Sequence, residues 1–202
     1  LCLFSPGVVH GQGLFPGALP GMAAGAKIEP GSWVRYTMLI RKTNTVARVK
    51  FSALGKEDGK QWFELVIKDQ TRRTMVFKAL IKGTLSKPKG VEQVIVQAHG
   101  QRPLRLPGSM AKNPFPGFSS GPSKRAKLIS TGKIKVAGGT FKARHYRTKV
   151  KGRIRDVWFS SEVPAWPMVK AVTGGVVTEL AAHGDNATCA LRVNPPTMPE
   201  NP

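Results

Sequence analysis

Period-two alternation, and not a helical period, runs through most of the chain after residue 31. In "SWVRYTMLI" (32–40), Trp33, Arg35, Thr37 and Leu39 alternate with Val34, Tyr36, Met38 and Ile40. In "TVARVKFSAL" (45–54), Val46, Arg48 and Lys50 alternate with Ala47, Val49 and Phe51. Strand side chains point to opposite faces in turn, so each segment predicts a strand with a face for a core. The intervening "KTN" supplies turn chemistry and makes the pair a hairpin. "KQWFELVIKD" (60–69) predicts a third strand, with Trp62, Glu64, Val66 and Lys68 opposite Phe63, Leu65 and Ile67. "RTMVFKALIKG" suits a strand or a short helix, strand being favoured, and "GVEQVIVQAHG" (90–100) suits either.

Residues 101–123 are dense in Pro, Gly and Ser and predict a long loop, a length that in a compact domain usually serves function or motion. Strands resume in "KLISTGKIKVAGGTFKARHYRTKV", with "AGG" as a turn, and Lys151-Gly152 turns a second tight hairpin into "KGRIRDVWFSS". "MVKAVT" is short enough for either type, and "GVVTELAAHG" with "ATCALRV" predicts a final strand pair. The expected fold class is mainly β: a strongly curved, half-barrel-like antiparallel sheet with few short helices and a long Pro/Gly loop. One β-rich domain is expected over 26–192, after a signal-peptide remnant and linker (1–25) and before a Pro-rich tail (193–202).

The remnant reading rests on the apolar stretch Leu1 to Val9 followed by Gly11 and Gly13. It points to a secreted, periplasmic protein, and no apolar run reaches the length of a membrane span. Cys189 is expected to be a small core residue, and a Cys2–Cys189 bridge requires the termini to meet.

Charge changes this picture. Of 202 residues, 32 are Lys or Arg and 11 Asp or Glu, a formal net charge of +21. Such a surface attracts polyanions: anionic lipid, acidic glycan, acidic envelope proteins or nucleic acid. No acid occurs between Glu92 and Asp156. Alternation lines up Lys133 and Lys135, then Lys149, Lys151, Arg153 and Arg155, with Lys142, Arg144 and Arg147 nearby, as a candidate anion-binding face. A turn at 151–152 would set part of this set on the opposite side. A solvated outer face is the competing reading.

The aromatic and apolar residues Trp33, Tyr36, Trp62, Phe63, Leu65, Met75, Trp158 and Trp166 are assigned to an apolar ligand site or the core. Trp166 stands between Pro164 and Pro167, where no regular central strand can form, and reads as a plug for the sheet more than as a ligand contact. Catalysis finds little support. His10, His99, His145 and His183 lack metal spacing, Ser109 lacks a nucleophile elbow, and no phosphate-cradling loop precedes a helix. No enzyme activity, cofactor or metal is expected.

Gly31, Trp33 and Tyr36; Gly139, Phe141 and Tyr146; and Trp158, Ser160, Val163, Pro164, Val169 and Lys170 together make a loose set of motifs across residues 31–182. In these the chain resembles the uncharacterised envelope proteins related to the periplasmic lipoprotein-carrier (LolA-like) half-barrels. The resemblance implies a bent antiparallel sheet closed over an apolar concavity, and a role in handling lipid or lipoprotein. The chain departs from that group in its basicity and its scarcity of helix, which makes 101–123 the candidate lid.

Three functions are weighed. The favoured one is a non-enzymatic periplasmic binding protein, peripheral to the membrane, that holds an acyl chain or apolar partner segment in the concave sheet, its basic face docking anionic groups. The second is a structural subunit of an envelope assembly. Nucleic-acid binding is third, because no zinc spacing, recognition helix or RNP-type motif is present.

Overall fold

The computed structural model describes residues 28–84, 87–106, 115, 126–150 and 152–191. The proposed signal remnant, the Pro-rich tail, most of the 101–123 loop and Lys151 lie outside the described residues. Eleven strands form one antiparallel sheet: β1 (Trp33–Ile40), β2 (Thr45–Glu57), β3 (Lys60–Asp69), β4 (Thr74–Thr84), β5 (Lys87–Gln97), β6 (Leu104–Leu106), β7 (Lys127–Val136), β8 (Gly139–Val150), β9 (Arg153–Phe159), β10 (Met168–Thr173) and β11 (Val176–Gly184). The spatial order β6-β5-β4-β3-β2-β1-β11-β10-β9-β8-β7 puts the first strand at the centre, with a meander on each side.

The predicted strands and both tight hairpins are present. The three segments that suited strand or helix, 73–83, 90–100 and 168–173, are strands β4, β5 and β10 because each finds a ladder on both sides. Three expectations need correction. Leu104–Leu106, expected inside the long loop, forms strand β6 against β5. No helix occurs among the described residues. The described part of "ATCALRV", 187–191, is not a strand either: after β11 the chain leaves the sheet and runs as a strap across its outer surface.

Curvature has a local cause. The register slips at Arg35/Tyr36, Ala53/Lys56, Leu80/Ile81, Lys82/Gly83, Leu128/Ser130 and Met168/Lys170. Such bulges sharpen twist and bend a sheet. The β7–β8 hairpin curls far enough for the Gly138 N–H to donate to the Leu180 carbonyl of β11 (2.9 Å). A Cβ on Gly138 would lie 3.0 Å from Leu180 Cγ and 3.1 Å from its carbonyl oxygen, so glycine lets the two backbones come this close without displacing Leu180. The sheet is not closed into a barrel, since β6 and β7 pair on one side only.

Alternation assigns the faces. Val34 and Tyr36 of β1, Val49, Phe51 and Ala53 of β2, Phe63, Leu65 and Ile67 of β3 and Leu180 of β11 point inward to the main core. A smaller outer cluster joins Val66, Val76, Ile95 and Leu191 of the strap, with Trp62 and Cys189 packed on it.

Candidate functional site

The inner face has a sealed half and a graded half. On the sealed half, residues 160–167 form a loop held by Ser160 N–H to the Pro167 carbonyl (2.8 Å) and by Lys142 N–H to the Glu162 carboxylate (3.2 Å). Prolines 164 and 167 fix the backbone around Trp166, which is fully buried. Its ring meets Tyr36 edge-on (6.2 Å, 74°) and Phe51 edge-on (5.6 Å, 82°). The Tyr36 hydroxyl lies 3.0 Å from the Trp166 carbonyl and 2.9 Å from that of Met168, sharing its proton between them. Burial pushes the Tyr36 phenol well above its ordinary pKa. Phe51 also stacks on Phe63 and meets Phe115, from the long Pro/Gly segment, edge-on at 6.0 Å.

On the graded half, one in-register row crosses β3 to β6: Leu65, Phe77, Val96 and Leu104. Exposure rises along it, from 2% at Leu65 to 38% at Leu104, with Phe77 and Val96 half-buried. Met75, Val91 and Leu106 flank it and pack on the same core. The core thus opens gradually toward the β6 edge.

The aromatic residues read from the sequence divide between the faces. Tyr36, Phe63, Leu65, Met75 and Trp166 are inward. Trp33 and Trp62 are not on the concave side, because strand phase points each of them outward, whereas Trp158 is half-buried and packs against the main core. Trp33 Nε1–H donates to Asn186 of the strap (3.0 Å) and Lys50 sits over its ring. Trp62 donates to Glu57 (2.8 Å) beneath Lys78. Trp158 stacks on His145, ring centroids 4.2 Å apart, beside Lys170.

The cations divide too. Lys133 and Lys142 face each other across β7 and β8, and Lys133, Lys135, Lys142, Arg144, Arg147 and Lys149 are exposed. The hairpin register pairs Lys149 with Ile154 and Thr148 with Arg155. Arg153 and Arg155 therefore lie on the face opposite Arg147 and Lys149, so the row of odd-numbered cations is not one surface. Arg155 is half-buried, and burial lowers its pKa.

Reading the sequence alone missed two constellations. Asp156 accepts from Arg147 Nε (2.8 Å) and lies 2.7 Å from His145 Nε2. Burial raises the Asp156 pKa, but the bonds to Arg147 and His145 outweigh it and hold the carboxyl below its ordinary value. The register of the 151–152 hairpin, which sets 145 against 158 and 147 against 156, was the available signal. Glu64 is the other. It is buried on the outer face, where the strap supplies backbone N–H donors from Ala190 and Leu191. Cys189, expected to be a small core residue, lies outside the main core and packs on the edge of the outer cluster. It is half-buried in the strap, its thiol 2.7 Å from the Leu191 carbonyl, and burial with the nearby Glu64 charge raises its pKa. No local motif announces either strap contact. Among the described residues no group of His, Cys, Asp and Glu could hold a metal ion.

No protein-family model matches the chain, and no curated protein matches it. Solved structures do. A protein of Bacteroides fragilis described as exported and of YmcC-like fold superposes with TM-score 0.42 at 7% identity, covering 79% of this chain and 98% of that one. Two crystal forms of PNGF-II give TM-score 0.36 at 13% and 11% identity. Each covers 83% of this chain but only 31% and 30% of its own. These overlaps assign no role to any residue.

Proposed function

We propose that the protein is an exported, non-enzymatic binding protein that lays an extended apolar chain, an acyl chain or an apolar peptide segment, along the inner face of β4–β6. The observation that carries this reading is the row Leu65, Phe77, Val96 and Leu104, an apolar surface continuous with the core and increasingly open toward the sheet edge. Each methylene buried there contributes about 0.8 kcal/mol. A few of them rival several exposed ion pairs, each worth about 0–1 kcal/mol. Apolar burial then sets affinity, and the cations set orientation and encounter rate. Export is supported by the apolar segment Leu1 to Val9 followed by Gly11 and Gly13.

The test is titration of the delipidated chain with a fluorescent fatty-acid probe in buffer without vesicles. Saturable binding that weakens only modestly between low and high salt is expected, and Val96→Trp, which fills the inner face, reduces affinity about tenfold while the denaturation curve stays cooperative. Absence of binding, or identical affinity in Val96→Trp, overturns the proposal. A structural-subunit reading has one observation in its favour, the edges of β6 and β7 that no strand among the described residues pairs. A concentration-dependent oligomer with no probe binding would establish it instead.

A further inference from the structure

Exposed apolar side chains and unneutralised cations gather at one rim of the sheet. In an antiparallel meander the strand ends alternate between two rims. One rim carries turns 41–44, 70–73, 98–103 and 174–175 and the β8–β9 turn, and therefore the starts of β2, β6, β7 and β9. Among the described residues the exposed large apolar side chains are Val46, Leu104, Leu128, Ile129 and Ile154. Val46 is the second residue of β2, Leu104 the first of β6, Leu128 and Ile129 the second and third of β7, and Ile154 the second of β9. All five sit at this rim.

Cations accompany them, although exposed lysines such as Lys56 and Lys82 occur at the opposite rim as well. Arg41, Lys42, Arg72, Arg102, Lys149 and Arg153 are exposed at this rim, and none has an acidic ion-pair partner among the described residues. The rim's own carboxylates, Asp69 and Asp156, are engaged by Arg73 and Arg147. The acids Glu29, Glu57, Asp58, Glu162 and Asp185 lie at the opposite rim.

A soluble polyanion would engage the cations but gain nothing from Ile154 at 56% exposure or Leu128 at 55%. A second copy meeting the first rim to rim would bring like charges together, an unfavourable juxtaposition. A bilayer surface uses both features: apolar side chains enter the boundary between headgroups and acyl chains, and Lys and Arg attract anionic phosphates. We propose that this rim docks the protein on an anionic phospholipid bilayer, with Val46, Leu104, Leu128, Ile129 and Ile154 inserted and the neighbouring cations on lipid phosphates. The docking is end-on, through the turns, and not through the flat outer face of Lys133, Lys135 and Lys142. It shares Leu104 with the apolar-chain site along β4–β6, but none of the variants below alters that residue, and that site is assayed without vesicles.

Co-flotation of the full chain with vesicles tests this. Binding is expected to vesicles of equal parts phosphatidylcholine and phosphatidylglycerol, and not to phosphatidylcholine alone. Each Lys or Arg near such a surface contributes about fivefold in affinity, so Arg41→Gln with Arg72→Gln weakens binding about 25-fold. The outer-face pair Lys133→Gln with Lys135→Gln leaves it unchanged. Leu128→Ser with Ile154→Ser weakens vesicle binding and leaves heparin binding as it was. All these positions are exposed, and near-ultraviolet circular dichroism confirms that each variant keeps its packing. Failure to float overturns the proposal. So does an equal loss from the outer-face pair, an apolar pair with undiminished vesicle binding, or rim variants that only dissociate a dimer in sedimentation.

Discussion

The carboxylate of Glu64 on β3 accepts the backbone N–H of Ala190, at 3.0 Å to each oxygen, although 126 positions separate the two residues. Leu191 N–H adds a third contact at 3.2 Å, and Lys78, paired with Glu64 across β4, holds its ammonium 3.5 Å from the Leu191 carbonyl. A carboxylate 1% exposed is tolerable only with such donors. Glu64→Ala leaves them unsatisfied and is expected to cost about 3 kcal/mol, whereas Glu64→Gln keeps an acceptor and costs about 1 kcal/mol. Urea midpoints of the two variants against the parent check the order and the gap.

Tyr36 and Trp166 make a second buried bond across a long sequence separation. Tyr36→Phe keeps the ring and removes the proton shared by two carbonyls, for an expected loss of about 1–2 kcal/mol near neutral pH. The raised phenol pKa adds a pH signature. Above the ordinary value of 10.0 the unfolded chain releases this proton before the folded one does. Stability from this group is therefore complete below about pH 10 and falls as pH climbs toward the folded value. The phenylalanine variant should lose that part of the alkaline slope in urea titrations at stepped pH.

Asp69 shapes the β3–β4 turn at the cationic rim. One oxygen accepts from Thr71 N–H (2.9 Å), Thr71 Oγ1–H (2.7 Å) and Arg73 N–H (2.9 Å), and the other from Arg73 Nε (2.8 Å). The Thr71 hydroxyl bond leads the effects that lower its pKa to about 2. A carboxyl-carbon NMR titration should place its midpoint there, against 3.8 for an unperturbed aspartate. Its contribution to stability is present above 3.8 and is lost as pH falls toward 2. Thr71→Val should move the midpoint upward.

Gly31 enters β1 at φ 90°, and a Cβ there would lie 2.6 Å from the Asp185 carbonyl oxygen. Its N–H donates to Ala53 and its carbonyl accepts Ala187 N–H at the root of the strap. Gly31→Ala therefore combines a left-handed backbone with a clash against main chain, and a loss of about 2–3 kcal/mol is expected in thermal or urea unfolding. Gly55→Ala, whose Cβ would meet nothing within 4 Å, is the comparison.

Much of the sheet was legible because its signal is local. Val34 against Arg35, or Val49 against Arg48, states which side chains share a face wherever the pair is met, and Asn44 or Gly152 marks the turn that reverses the chain. The strands β4 and β5 were ambiguous for the same reason, since apolar runs such as "VIV" fit a core strand or a helix until a neighbour supplies the ladder. Of the candidate site, the inward set Tyr36, Phe63, Leu65 and Met75 follows from phase. The outward placement of Trp33 and Trp62 follows from it as well, but hydrophobicity argued the other way. A tryptophan half-buried under a lysine stem or a strap looks no different, in one dimension, from one in the core.

By itself the sequence determined the strand succession, its turns and the sorting of side chains into two faces, because period-two alternation and turn chemistry act between near neighbours. Only the tertiary structure decided which face is concave, that the chain after β11 crosses the outer surface to satisfy Glu64, and that cations from four separate turns meet exposed apolar residues at one rim. Those outcomes depend on register slips that accumulate into curvature and on contacts between residues more than a hundred positions apart, and neither is encoded within a single segment.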